Sequence, residues 1–161
     1  MEVLPVIKMR AFLSLAAALL LAVSTAYSAT GDIYPAPEQA KADVAAALKL
    51  AAATHKRVLI DFGGNWCPDC HVLNIYFHDE TNRPLLEANF VLVDVNIGHV
   101  DQNLDIAERF GVPLAKGVPA LAVVSDKGKL LYSQQTGQFN SMRRMQSSAV
   151  TDFLEQWKPA R

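Results

Sequence analysis

Residues 67–71 read Cys-Pro-Asp-Cys-His and hold both cysteines of the chain. Several chemistries use that spacing. Cys67 and Cys70 followed by His71 form the C-x-x-C-H pattern of covalent haem attachment, while the same pair preceded by Trp66 reads as a dithiol redox site. A zinc site needs about four ligands, and although His71 and His78 could join the pair, no second C-x-x-C exists. Two buried, inert thiols packed as small apolar groups are the remaining possibility.

The flanking elements separate these readings. Residues 38–54, within "EQAKADVAAALKLAAATH", space Val44, Leu48 and Ala51/Ala52 for one face of a helix. "RVLIDF" (57–62) is a short β-branched apolar run, which predicts a buried strand broken by Gly63-Gly64-Asn65. A helix then begins at the cysteines, with Pro68 suited to its first position, where no N–H partner is needed. "HDETNRPLLEA" reads as irregular chain followed by a helical turn or two, and "NFVLVDVNI" as a second strand. Residues 104–110 predict a helix stopped by Gly111. "PALAVVS" and "LLYSQQ", joined by "DKGK", read as a hairpin of a third and a fourth strand. Residues 141–157 carry Met145, Ala149, Val150, Phe153, Leu154 and Trp157 at helical spacing and predict a closing helix. Helices interleaved with strands, ending in a hairpin, make one α/β domain with a mixed central sheet.

A small c-type cytochrome is mostly helical around its haem, and these strands do not suit it. Met142 and Met145 offer themselves as axial ligands, but their place on an amphipathic helix reads as core packing. The thiol reading gains from position. Cys67 ends a strand–turn segment at the mouth of a helix, where free N–H groups and the helix dipole favour an anion. The thiolate is the species that attacks a disulfide, so this placement brings the thiol toward its working form. Cys70 follows one turn later, within reach of a mixed disulfide on Cys67, and Trp66 shields one side.

"VLIDFGGNWCPDC" and "KGVPAL" together resemble the thioredoxin superfamily. The likeness covers residues 58–157, and the long helix before "VLIDF" is similar to that of exported thioredoxin-like proteins. It implies a thioredoxin-like fold: a mixed sheet of about four strands flanked by helices, with an extra N-terminal helix. It also implies roles: Cys67 as attacking thiol, Cys70 as resolving thiol, and Asp61 as a buried acid that exchanges a proton with Cys70. Desolvation raises the pKa of a carboxyl in an apolar strand, which suits that exchange. By the same resemblance Pro119 is cis, facing the cysteines, and Val118 offers its backbone to a substrate strand beside Trp66. Pro113 is a weaker rival for the cis position, since no strand follows it. Three departures stand out. Pro68-Asp69 replaces the Gly-Pro of thioredoxins, and Asp69 should set a negative charge beside Cys67, opposing the thiolate and favouring a reducing pair. Asp94 occupies the place of a lysine near the buried acid, which implies a different proton relay. Pro113-Leu114-Ala115 looks like an insertion ahead of the cis-proline loop.

The N-terminus carries Lys8 and Arg10, an apolar run of 13 residues (11–23) and then Ser-Thr-Ala. That order is a cleavable secretory signal, too short for the ~18–20 residues of a membrane-spanning helix. Residues 1–26 are therefore expected to be removed, leaving 27–161 as one thioredoxin-like domain with a real core. Net charge is −1 for the whole chain, and no basic block exists to bind nucleic acid. Taken together the sequence predicts an exported, periplasmic thiol–disulfide oxidoreductase, expected as a monomer, that reduces disulfides in exported proteins. It implies no nucleotide or metal cofactor. A membrane electron carrier must re-reduce the pair, because the periplasm has no soluble reducing buffer. A c-type haem electron carrier and a thioredoxin-fold binding module without turnover are the alternatives.

Overall fold

The computed structural model describes residues 31–160, so the secretory signal expected over residues 1–26 lies outside the described residues. The chain builds a four-stranded mixed sheet in the order β2-β1-β3-β4. β1 (Arg57–Gly63) occupies the interior, parallel to β2 (Phe90–Asn96) and antiparallel to β3 (Ala120–Val124), and β3 pairs antiparallel with β4 (Leu130–Ser133). Parallel pairing of β1 with β2 demands a long crossover. α2 (Pro68–Phe77) and α3 (Asn82–Asn89) supply it.

Side chains alternate across the sheet, and each face has its own cover. Val58, Ile60 and Phe62 of β1, with Val93 and Val95 of β2, pack with Val44, Ala47 and Ala51 of α1 (Ala40–Thr54) and with Ile106 and Phe110 at and just after α4 (Leu104–Arg109). Leu59, Leu121 and Val123 point the other way, onto Leu73 and Phe77 of α2, Leu86 of α3, and Val150, Phe153 and Leu154 of α5 (Ser148–Trp157). β1 is thus buried on both faces, which is why Val58-Leu59-Ile60 reads as an unbroken apolar run rather than as alternation. Asp61 sits between Ile60 and Phe62, so it faces the α2 side. Asp94, its register partner on β2, faces the same side.

The helical turns expected in "HDETNRPLLEA" are α3, and Asp79 organises their start by accepting hydrogen bonds from the backbone N–H groups of Thr81 (3.0 Å) and Asn82 (2.7 Å). Two other elements differ from the sequence expectation. The helix expected over residues 141–157 is divided into a 3-10 turn, Met142–Arg144, and α5. Met145 between them is extended, the backbone N–H of Arg143 is spent on Asp69, and the Ser147 hydroxyl is spent on Asp79. Helical spacing survives there, but the extended backbone at Met145 ends the 3-10 turn, and the contacts to Asp69 and Asp79 hold the segment in place. The fourth strand stops at Ser133, and Gln134 turns inward.

Candidate active site

Cys67 is the N-cap of α2, with extended backbone, and Pro68 is the first helical residue. The backbone N–H of Cys70 donates to Cys67 Sγ at 3.3 Å. The two sulfurs are joined as a disulfide, with Cα atoms 5.3 Å apart. Cys67 is 4% exposed and Cys70 fully buried, so the outer sulfur is the one a substrate can approach. Above it runs the loop before β3, where the Val118–Pro119 peptide is cis and the Val118 carbonyl oxygen lies 3.7 Å from Cys67 Sγ. Gln134, buried, braces that loop from below: its Nε2 donates to the Pro119 carbonyl at 3.2 Å and its Oε1 accepts from Leu121 N–H at 3.3 Å. Trp66 is 45% exposed; its indole N–H donates to the Gly98 carbonyl and its ring stacks on His99 with centroids 5.5 Å apart. Pro113 precedes a 3-10 turn, Leu114–Lys116, rather than a strand.

Beneath the cysteines the site is acidic. Asp61 is buried; burial, then the charge of Asp94, pushes its carboxyl well above the ordinary range, and a hydrogen bond from Tyr34 pulls part of the way back. Asp94, at the edge of the sheet, is pushed up to about 7 by loss of solvent, with His78 acting in the opposite sense. In-register neighbours on parallel strands lie about 4.8 Å apart, so two carboxylates on one face of β1 and β2 cannot both ionise freely.

Asp69 behaves differently from the sequence expectation. It does not stand as an open charge beside Cys67. Its Oδ1 accepts from the Arg143 backbone N–H (2.9 Å) and Nε (3.2 Å), and its Oδ2 pairs with Nη2 at 3.2 Å. Burial raises its pKa, but Arg143, with Arg144 behind it, outweighs burial and holds the carboxyl below its ordinary value. The partner lies 74 positions away in sequence, where no local pattern could announce it.

The haem reading fails on fit. Thioether attachment needs both sulfurs and the following histidine turned to one open face. Here Cys70 has no exposed surface, and His71 Nε2 donates to the Asn65 carbonyl at 2.8 Å. His78, the other histidine weighed as a ligand, is engaged with the Asn74 carbonyl through Nδ1 at 2.8 Å. Among the described residues no three His, Cys, Asp or Glu side chains converge on a metal position.

Two residues of the site escaped the sequence reading. Tyr34, in the lead-in segment, is buried against Cys67 and Cys70, and its hydroxyl donates to Asp61 Oδ2 at 2.8 Å. Asn65, inside the glycine-rich turn, fastens that segment in place. Its Oδ1 accepts from the N–H groups of Ile33 (2.9 Å) and Tyr34 (3.0 Å), and its Nδ2 donates to the Tyr34 carbonyl at 2.9 Å. A lone tyrosine in a proline-bearing lead-in carries no periodic signal. The local hint was an asparagine in the turn beside the cysteines.

Known proteins resemble this chain in sequence and fold. A family model described as thioredoxin-like matches residues 39–125, more than half of the chain. A solved disulphide isomerase from Xylella fastidiosa Temecula1 superposes with a TM-score of 0.74 at 32% sequence identity, covering 77% of this chain and 95% of that one. Thioredoxin H4 of Arabidopsis thaliana is 34% identical over 65 residues, which are 40% of this chain; the chain spans half the length of that curated relative. With its mixed sheet, its cis-proline loop and a cysteine pair at the head of a helix, the chain belongs to the thioredoxin-like family.

Proposed function

We propose that the protein is an exported thiol–disulfide oxidoreductase, acting as a monomer, that reduces disulfides in exported proteins through Cys67 and Cys70. The observation that carries this reading is Cys67 Sγ at the N-cap of α2, receiving the Cys70 N–H and facing the Val118 carbonyl. An N-terminal helix end stabilises an anion on that sulfur, which makes Cys67 the nucleophile. Its thiolate attacks a substrate disulfide, forming a mixed disulfide and releasing one substrate thiolate. Cys70 then passes its proton to Asp61 and attacks Cys67 Sγ; the second substrate sulfur leaves, and the pair is left oxidised. The Val118 backbone, Pro119 and Trp66 form the surface on which the substrate strand lies. Likeness to a disulphide isomerase at 32% identity over nearly that whole chain supports thiol–disulfide exchange as the reaction class.

The reducing direction rests on Asp61 and Asp94 rather than on Asp69. A strongly oxidising pair needs a heavily stabilised thiolate. Here two carboxyls lie on the sheet face beneath α2, and the hydrogen-bond donor to Cys67 Sγ is a single backbone N–H. The charge those carboxyls carry works against the anion that the helix end favours, so the thiolate is only moderately stabilised and the pair tends to give electrons away. Re-reduction then falls to a membrane electron carrier, and residues 1–26 serve as the removed export signal.

The reading is tested by equilibrating the mature protein with glutathione buffers and measuring its reduction of insulin's interchain disulfides. A potential near the ~−270 mV of thioredoxin, with activity lost in Cys67→Ser, is expected. A potential near ~−120 mV reverses the direction, and an in vivo effect that survives Cys67→Ser makes the chain a binding module instead.

A further inference from the structure

The thioredoxin-like match begins at residue 39, yet the side chain that closes the site from below comes from outside it. Tyr34 is buried, packs with Cys67 and Cys70, and is itself packed by Ile33 and Val118. Its hydroxyl binds one oxygen of Asp61, Oδ2. The other oxygen, Oδ1, is buried without a hydrogen-bond partner among the described residues. Orphan buried acceptors are rare in folded proteins and call for an explanation, catalytic roles among them.

The backbone makes room for this arrangement. A Cβ on Gly63, at the end of β1, would come within 2.8 Å of Cys70 Sγ and closer still to the Tyr34 hydroxyl. Phenol and resolving sulfur therefore meet at a position that only glycine leaves open, and the phenol's hydroxyl is the group bonded to Asp61. The lead-in segment is also no loose tail, because three hydrogen bonds from Asn65, two residues before Cys67, fix the backbone of residues 33 and 34.

We infer that Tyr34 is a positioning residue for the resolving step: by holding Asp61 Oδ2 it reserves Oδ1 for the proton that Cys70 gives up. The inference rests on the proposed thiol–disulfide activity. In that step the Cys70 S–H bond breaks and its proton goes to Asp61 Oδ1. The Cys70–Cys67 bond forms, the Cys67–substrate bond breaks, and its electron pair leaves on the substrate sulfur, which takes up a proton. The tyrosine does no chemistry itself. Its hydrogen bond also favours the ionised form of Asp61, which burial and Asp94 both oppose. The charged and polar groups bearing on Asp61 are Tyr34 from the lead-in and Asp94 from β2, with His78 acting on Asp94; from β3 its register partner is the apolar Leu121, and from α2 Cys70 packs against the same Tyr34.

Tyr34→Phe keeps the ring and removes only the hydroxyl. At saturating disulfide substrate, the acid limb of the rate–pH profile is expected to move upward by about one pH unit. Turnover then falls about tenfold below the wild-type midpoint, with the alkaline plateau unchanged. In an Asp61→Asn background the same change is expected to add nothing. A loss equal at all pH values, an unmoved profile, or a further loss on top of Asp61→Asn overturns the inference. If Tyr34→Phe does not fold, Asn65→Ala, which loosens the Tyr34 backbone and leaves the phenol, must move the acid limb in the same direction; an unmoved limb is equally fatal. A wild-type protein without turnover at any pH refutes the proposed function itself, whereas an active wild type with an unmoved variant profile refutes this inference alone.

Discussion

Asp94→Asn is expected to make the oxidised protein more stable at alkaline pH and to leave it nearly unchanged in acid. Asp94 titrates near 7 in the folded protein against an ordinary 3.8, so between those values the folded chain holds a proton that the unfolded chain has released. Unfolding there releases protons, and stability must fall as pH rises through that window and level off above it. At about 1.4 kcal/mol per tenfold change, the full displacement corresponds to roughly 4 kcal/mol. Asp94 is only half-buried, on an edge strand, and water screens part of that, leaving ~2 kcal/mol. Asp61, displaced in the same direction and facing Asp94, adds to the wild-type slope and is relieved when its neighbour loses charge. Urea unfolding of oxidised wild type and Asp94→Asn, at a series of pH values from about 4 to 9, measures this directly. The wild-type midpoint should decline with rising pH and the variant's decline should be shallower. Equal slopes, or a variant less stable than wild type at high pH, would show that the two carboxyls do not share the strain argued here.

Other consequences follow from the same geometry. Gly63→Ala drives a methyl into Cys70 Sγ and the Tyr34 hydroxyl, and should cost about 1–3 kcal/mol by urea titration; undiminished stability would mean that this gap is slack. Arg143→Ala strips Asp69 of its guanidinium but leaves the backbone N–H. Because the arginine side chain is 62% exposed, stability should drop by only ~1 kcal/mol. The freed charge beside Cys67 should lower the reduction potential by ~10–30 mV, and a rise measured against glutathione would contradict the electrostatic assignment. Cys70→Ser should accumulate a covalent substrate adduct on Cys67 detectable by intact mass, and Cys67→Ser should not; the reverse pattern would exchange the two sulfurs' roles.

Much of the frame was legible in residue order, because its causes are local. An unbroken apolar run at residues 58–60 marks a strand covered on both faces, a Lys-Gly turn marks the β3–β4 hairpin, and Pro68 after Cys67 marks where α2 begins. These depend on side-chain periodicity and on which residues lack a donor or tolerate a turn, and neighbours in sequence decide both. The same logic overran at residues 141–157, where helical spacing persists but the backbone is extended at Met145 and long-range contacts to Asp69 and Asp79 hold the segment.

The sequence by itself determined the cysteine pair, its place at a helix mouth and the alternation of helix and strand. Only the tertiary structure decided the electrostatics around that pair. Asp61 meets Asp94 through strand register, Asp69 meets Arg143 across 74 positions, and Tyr34 reaches Asp61 across 27. Each is a contact between groups far apart along the chain, and a carboxyl's charge depends on what surrounds it in space rather than on what precedes it in order.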